Sequence, residues 1–157
     1  MDQAPPIKLT AIVSKRVFKL DAVEVPTLLV LVSQQSAAAA DGVLVGVRAS
    51  YPDPAALQLA TVIDLRAIPR LLRKVAETTL NGRYHERAKA LDPDADPAQR
   101  IVILPDWDGG VATAFGLPDL GTQAAVAMVA PGGRLVGVRQ GDDLATAALE
   151  LAGAAFA

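Results

Sequence analysis

Four stretches of the chain are apolar almost without interruption: 27–33 (TLLVLVS), 57–64 (LQLATVID), 101–104 (IVIL) and 124–130 (AAVAMVA). None alternates strictly with polar positions. They therefore read as strands buried on both faces, as in a parallel sheet covered by helices. Residues 8–13 (KLTAIV) and 16–20 (RVFKL) read as short strands or one bent hairpin. Residues 134–139 (RLVGVR) form a last strand, joined to 124–130 by Pro131-Gly132-Gly133, a tight antiparallel turn signal.

Between the strands the period changes. The alanine run in 34–50 predicts a helix in spite of Gly42 and Gly46. Ile68, Leu71, Leu72, Val75, Ala76, Leu80 and Tyr84 recur at helical spacing, so 68–91 is expected to be one helix with that stripe against the core. Pro69 suits its first turn and Gly82 weakens its middle. Residues 51–56 and 92–99 (DPDADPAQ) are loops. Residues 108–116 predict a short helix capped by Asp108 and stopped by Gly116, and 142–155 a closing helix with Asp142 and Asp143 in its first turn. The order is β-hairpin, β, α, β, α, β, α, β, β, α. That order predicts an α/β fold with a largely parallel sheet, covered on both faces and closed by an antiparallel edge.

The chain has 157 residues, which suits one domain, expected over 1–157 with residues 1–7 disordered. It has no cysteine, which excludes disulfides, zinc–thiolate sites and thiol redox catalysis by its own side chains. A single histidine, His85, excludes metal sites built from several imidazoles of one chain, so neither a metal nor a cofactor is expected. The net charge of −2 gives no basic field over the whole domain, and nucleic acid is not an expected partner. Met1 to Pro6 lack the basic start and apolar core of a secretory signal, and Leu28–Val32 is far short of the roughly 20 residues that span a bilayer. A cytoplasmic protein without membrane contact is the expectation, unless a leader has been removed.

The stretch 103–117 (ILPDWDGGVATAFGL), then 124–141 (AAVAMVAPGGRLVGVRQG), together with 17–33 (VFKLDAVEVPTLLVLVS), resembles the thioredoxin-like superfamily, and its peroxiredoxin branch in particular. With RAIPRLLR (66–73) it is also similar to a small uncharacterised bacterial group of thioredoxin-like proteins. The resemblance covers roughly 17–155 and implies a three-layer α/β/α sandwich with a mixed central sheet and an N-terminal β-hairpin. It also implies where chemistry would sit. In a peroxiredoxin Thr-x-x-Cys, and in a thioredoxin Cys-x-x-Cys, follows the strand that here ends at Ser33. This chain has Ser33-Gln34-Gln35-Ser36. An arginine or a cis-proline would open the penultimate strand near Ala124, which Thr122-Gln123 precede here. Serine cannot replace the thiol, because a hydroxyl neither ionises near neutral pH nor forms an exchangeable sulfur bond.

Candidate sites follow, each beside a plainer reading. Ser33, Gln34, Gln35 and Ser36, with Thr122 and Gln123, mark a vestigial active site at a helix N-terminus, expected to bind a ligand; the plainer reading of a serine there is a helix cap. Asp106, Trp107 and Asp108 line a possible pocket at a strand end. Acid-x-acid after a strand resembles haloacid-dehalogenase-type phosphatases, in which one acid attacks phosphorus, the other moves a proton and Mg²⁺ neutralises charge. Against that, Gly110 stands where Thr or Val is needed and no lysine follows Lys89. Asp92, Asp94 and Asp96 alternate as in a calcium loop, but Pro97 and Ile103 fall where glycine and glutamate belong. Arg66, Arg70, Arg73 and Lys74 lead a cationic run over 66–91, an anion patch or simply a solvated face. The functional expectations, in order, are three. The first is a non-catalytic module contacting a protein partner or a second copy in a homodimer. The second is an Mg²⁺-dependent phosphohydrolase using Asp106 and Asp108, and the third is anion or nucleic-acid binding through 66–91.

Overall fold

A computed structural model describes residues 2–117 and 119–157. Strands β1 (Lys8–Thr10) and β2 (Val17–Lys19) form an antiparallel ribbon, Leu9 opposite Phe18. The central sheet holds β3 (Thr27–Ser33), β4 (Gln58–Asp64), β5 (Ile103–Asp106), β6 (Ala125–Val129) and β7 (Leu135–Gln140), in the order β5-β4-β3-β6-β7. β3 runs parallel to β4 (Thr27 opposite Gln58, Ser33 opposite Asp64) and antiparallel to β6 (Thr27 opposite Val129). β4 and β5 are parallel and β6 and β7 antiparallel, so the sheet is mixed. This is the α/β architecture expected from the order of apolar runs.

The helices are α1 (Ala38–Ser50), α2 (Arg73–Lys89), α3 (Pro97–Arg100), α4 (Gly110–Ala114) and α5 (Leu144–Phe156). The period of two along β3 divides the core. Leu28, Val30 and Val32 pack with Val43 and Val47 of α1, Leu80 and Tyr84 of α2, and Ala148 and Leu151 of α5. Leu29 and Leu31 point the other way, to Leu9 and Phe18 of the ribbon and Val111 of α4. Both faces are covered, which is why β3 tolerates no polar position between Leu28 and Val32. No helix among the described residues is long and apolar enough to cross a membrane.

The structure departs from the sequence reading in four places. The chain does not coil as one helix from Ile68. Pro69 is extended (φ −58°, ψ 145°), Arg70–Leu72 make a 3₁₀ turn, and α2 starts at Arg73. A three-residue turn is out of phase with a 3.6-residue period, so the expected core stripe breaks. Leu80 and Tyr84 are buried, whereas Leu71 is 94% exposed, Leu72 50% and Val75 63%. Second, α1 begins at Ala38, leaving 34–37 as a turn. Third, part of the acidic loop at 92–99 coils into α3, where Asp96 accepts from the Ala98 N–H (3.0 Å). Fourth, the segment 2–7 pairs with the turn at 131–134. The N–H of buried Ala4 donates to the Gly133 carbonyl (2.8 Å), and the Asp2 carbonyl accepts from the Leu135 N–H (3.0 Å). The segment pairs backbone groups beside the turn at 131–134 that would otherwise lack partners. Met1 lies outside the described residues.

Candidate functional site

The end of β3 places Ser33 and Ser36 face to face, and the turn at 34–37 exists because their side chains tie it. The Ser33 hydroxyl accepts from the N–H groups of Gln35 (3.1 Å) and Ser36 (3.2 Å). The Ser36 hydroxyl accepts from the Ser33 N–H (2.9 Å) and donates to the Leu120 carbonyl (2.7 Å). The two Oγ atoms are 3.3 Å apart, and Ser33 Oγ is also 3.3 Å from the Gly121 carbonyl. A hydroxyl carries one proton. With that of Ser36 on Leu120, that of Ser33 is shared between Gly121 and Ser36. None of these contacts is to a carboxylate or an imidazole, the groups that activate a hydroxyl as a nucleophile.

Of the expected site residues, the structure brings together Ser33 and Ser36, with their hydroxyls turned inward. Ser36 is 7% exposed and Ser33 is half-buried, while Gln34, Gln35, Thr122 and Gln123 face solvent. The loop before β6 is held from its other side by Gln140, whose Nε2 donates to the carbonyls of Asp119 (2.9 Å) and Gln123 (3.1 Å). The partners that sequence reading missed are the carbonyls of Leu120 and Gly121. Being backbone atoms, they leave no mark in residue identity.

At the neighbouring strand end the roles of two acids are exchanged. Asp106, not Asp108, caps α4: its carboxylate accepts from the N–H groups of Gly110 (3.1 Å) and Val111 (2.9 Å). Gly109 turns left-handed (φ 68°) just before the helix, and the side chain of Asp108 is left in solvent, 3.5 Å from Arg73. Burial raises the Asp106 carboxyl above the ordinary aspartate value, the Val111 N–H lowers it, and Asp64 adds a smaller upward push. Trp107 lies under the Arg73 guanidinium (5.3 Å). The predicted cation cluster is divided. Arg66 is tied to Asp64 (2.7 Å) and Arg73 to Trp107 and Asp108, whereas Arg70 and Lys74 stand exposed with no ion pair among the described residues.

Comparison with known proteins adds the following. No protein-family model matches the chain, and no curated protein matches it in sequence. Solved structures do match in fold. The exposed lipoprotein thioredoxin Etrx1 of Streptococcus pneumoniae superposes with a TM-score of 0.58 at 19% identity, over 94% of this chain and 98% of that one. A protein from Chlorobium tepidum described as a thiol:disulfide interchange protein, DsbE, gives 0.62 at 16% identity, over 99% and 96%. A secreted disulfide oxidoreductase of Mycobacterium tuberculosis, homologous to DsbE of Escherichia coli, gives 0.51 at 15%, over 96% and 95%.

These neighbours overturn the functional expectations formed from the sequence. They are thiol–disulfide oxidoreductase-like proteins. They favour neither a non-catalytic binding or self-association module, nor a phosphohydrolase on Asp106 and Asp108, nor an anion or nucleic-acid binder on 66–91. The geometry agrees for the phosphohydrolase: a carboxylate occupied by two backbone N–H groups is not free to attack phosphorus. The neighbours do not single out the peroxiredoxin branch. What they do show is that this cysteine-free chain has the thioredoxin-like fold.

Proposed function

We propose that this chain serves thiol–disulfide interchange by holding a cysteine-bearing polypeptide against the Ser33–Ser36 turn, with the exchanging sulfur on the partner. The observation that carries this reading is the hydroxyl pair itself. Two serines three residues apart, at the end of the central strand, have their Oγ atoms 3.3 Å apart. Ser33 is the more accessible, as an attacking group must be, and Ser36 is the buried one. That is the arrangement of a dithiol with oxygen in place of sulfur. Thiol exchange needs a thiolate to attack a disulfide sulfur, and a hydroxyl cannot supply that step. In this reading the attacking thiolate belongs to the partner, and no side chain of this chain takes part in the redox step.

The test restores one sulfur. Ser33→Cys is mixed with an extended peptide whose single cysteine is blocked as a mixed disulfide with glutathione. The new thiolate attacks the peptide sulfur, glutathione leaves as its thiol, and the peptide becomes linked to the chain. The same thiol is placed at exposed Thr78 of α2 as Thr78→Cys, and each rate is divided by that variant's rate with oxidised glutathione alone. The normalised rate is expected to be higher at position 33 and to fall when unmodified chain is added as competitor. Equal normalised rates at the two positions would end this reading.

A further inference from the structure

We propose that the groove between the end of β4 and the start of α2 docks a polypeptide segment with aliphatic side chains at its centre and acidic residues beside them. The groove adjoins the serine turn through Gln34 but uses neither hydroxyl, so it stands independently of the reading above.

Ile63 and Leu65, both buried, lie beneath a recess of about 170 Å³ that Ile68, Leu72 and Val75 border. Leu72 and Val75 are half or more exposed, and Leu71 beside them is almost wholly so. Leu72 and Val75 thus border the recess and meet water where α2 begins, and Leu71 is exposed in the 3₁₀ turn before it, on a chain whose other aliphatics are mostly buried. Charge commits the occupant. Arg83 lines the groove, and Arg70 and Lys74 lie in the same stretch of chain; all three are exposed and make no ion pair among the described residues. The acids of the same helix are Glu77, exposed, and Glu86, paired with Lys89. A segment apolar throughout would leave Arg83 unmatched, and a basic one would be repelled by it. The recess itself favours a protruding side chain over a flat lipid surface.

A synthetic amphipathic peptide with leucines on one face and glutamates on the other, fluorescein-labelled, is titrated with the full chain and followed by anisotropy. Binding is expected. Leu72→Glu or Val75→Glu, at exposed positions that leave the melting temperature unchanged, should weaken it about tenfold or more, the effect of losing one buried aliphatic contact. Arg83→Glu should weaken it several-fold, more so at low salt. The proposal is overturned if the peptide does not bind, or if Val75→Glu binds it as well as the unchanged chain. It is equally overturned if a serine–glutamate peptide binds as tightly, which would be anion attraction alone, or if a leucine–lysine peptide does. Vesicles of phosphatidylserine and phosphatidylcholine that bind where the peptide does not would assign the surface to a membrane instead.

Discussion

β3 and α2 are both legible as apolar patterns, yet they end in opposite situations. β3 buries six of its seven residues, and only Ser33 at its end is partly open. α2 buries two of its seventeen, Leu80 and Tyr84. The strand has hydrogen-bonded neighbours along both edges and side chains packed on both faces. The helix buries two positions four residues apart, with Ala88 half-buried against the core near its end, and its first turns face water. The contrast teaches that an unbroken apolar run flanked by other runs has one way to be buried. A helical stripe is buried only where another surface faces it. It also divides stability, because elements with few buried contacts open locally at low cost while the centre opens only with the whole molecule.

The sharpest way to break the comparison is to cut equal side chains from both regions. Leu31→Ala removes a side chain with no exposure from the middle of β3. It should cost about 2–5 kcal/mol by denaturant unfolding. A loss below about 1 kcal/mol there would mean that the centre is not the stabilising region. Next in size is Ser36→Ala, which leaves the Leu120 carbonyl and the Ser33 N–H without their partner. A loss of roughly 1–3 kcal/mol is expected. Ser33→Ala, at a more accessible hydroxyl, should cost less in the same measurement.

Acid titration of stability refines the boundary at β5. The folded-state value of Asp106 lies above its ordinary value of 3.8. Within that interval the folded chain keeps a proton that the unfolded chain has lost, so stability rises as pH falls from the raised value toward 3.8. Above the interval the burial penalty is fully present. Unfolding measured over that range, against Asp106→Asn as a reference that does not titrate, should show the unchanged chain gaining on the variant as pH drops. A difference that stays flat would remove the burial argument. The smallest effect is expected at Leu71→Ser, 94% exposed, within about 0.5 kcal/mol of no change. A larger loss would show that the start of α2 is covered after all.

The fold was legible because its signal is collective. Five consecutive aliphatic residues, Leu28–Val32, between Thr27 and Ser33 exclude almost everything but a doubly covered strand. The site was legible in part. Ser33 and Ser36 follow from the place where that strand ends, whereas their acceptors, the carbonyls of Leu120 and Gly121, lie some 84 and 88 residues away in the chain and carry no side-chain signature. The same limit explains the exchanged acids. Asp106 and Asp108 are equivalent as letters, and the left-handed turn at Gly109 decides which of them reaches the start of α4. Arg66 and Arg73 read as members of one cationic run until Asp64 and Trp107, brought from neighbouring strand ends, claim them.

By itself, the sequence determined which segments are strands, how they alternate with helices, and that no sulfur of this chain can take part in exchange. Those properties depend on composition and short-range period, which one chain carries in full. Only the tertiary structure decided that the two hydroxyls are locked to the loop before β6 and that the start of α2 is left uncovered. Both depend on which surfaces meet across the sheet, and contacts between residues far apart in sequence are fixed by packing of the whole chain and not by any local pattern.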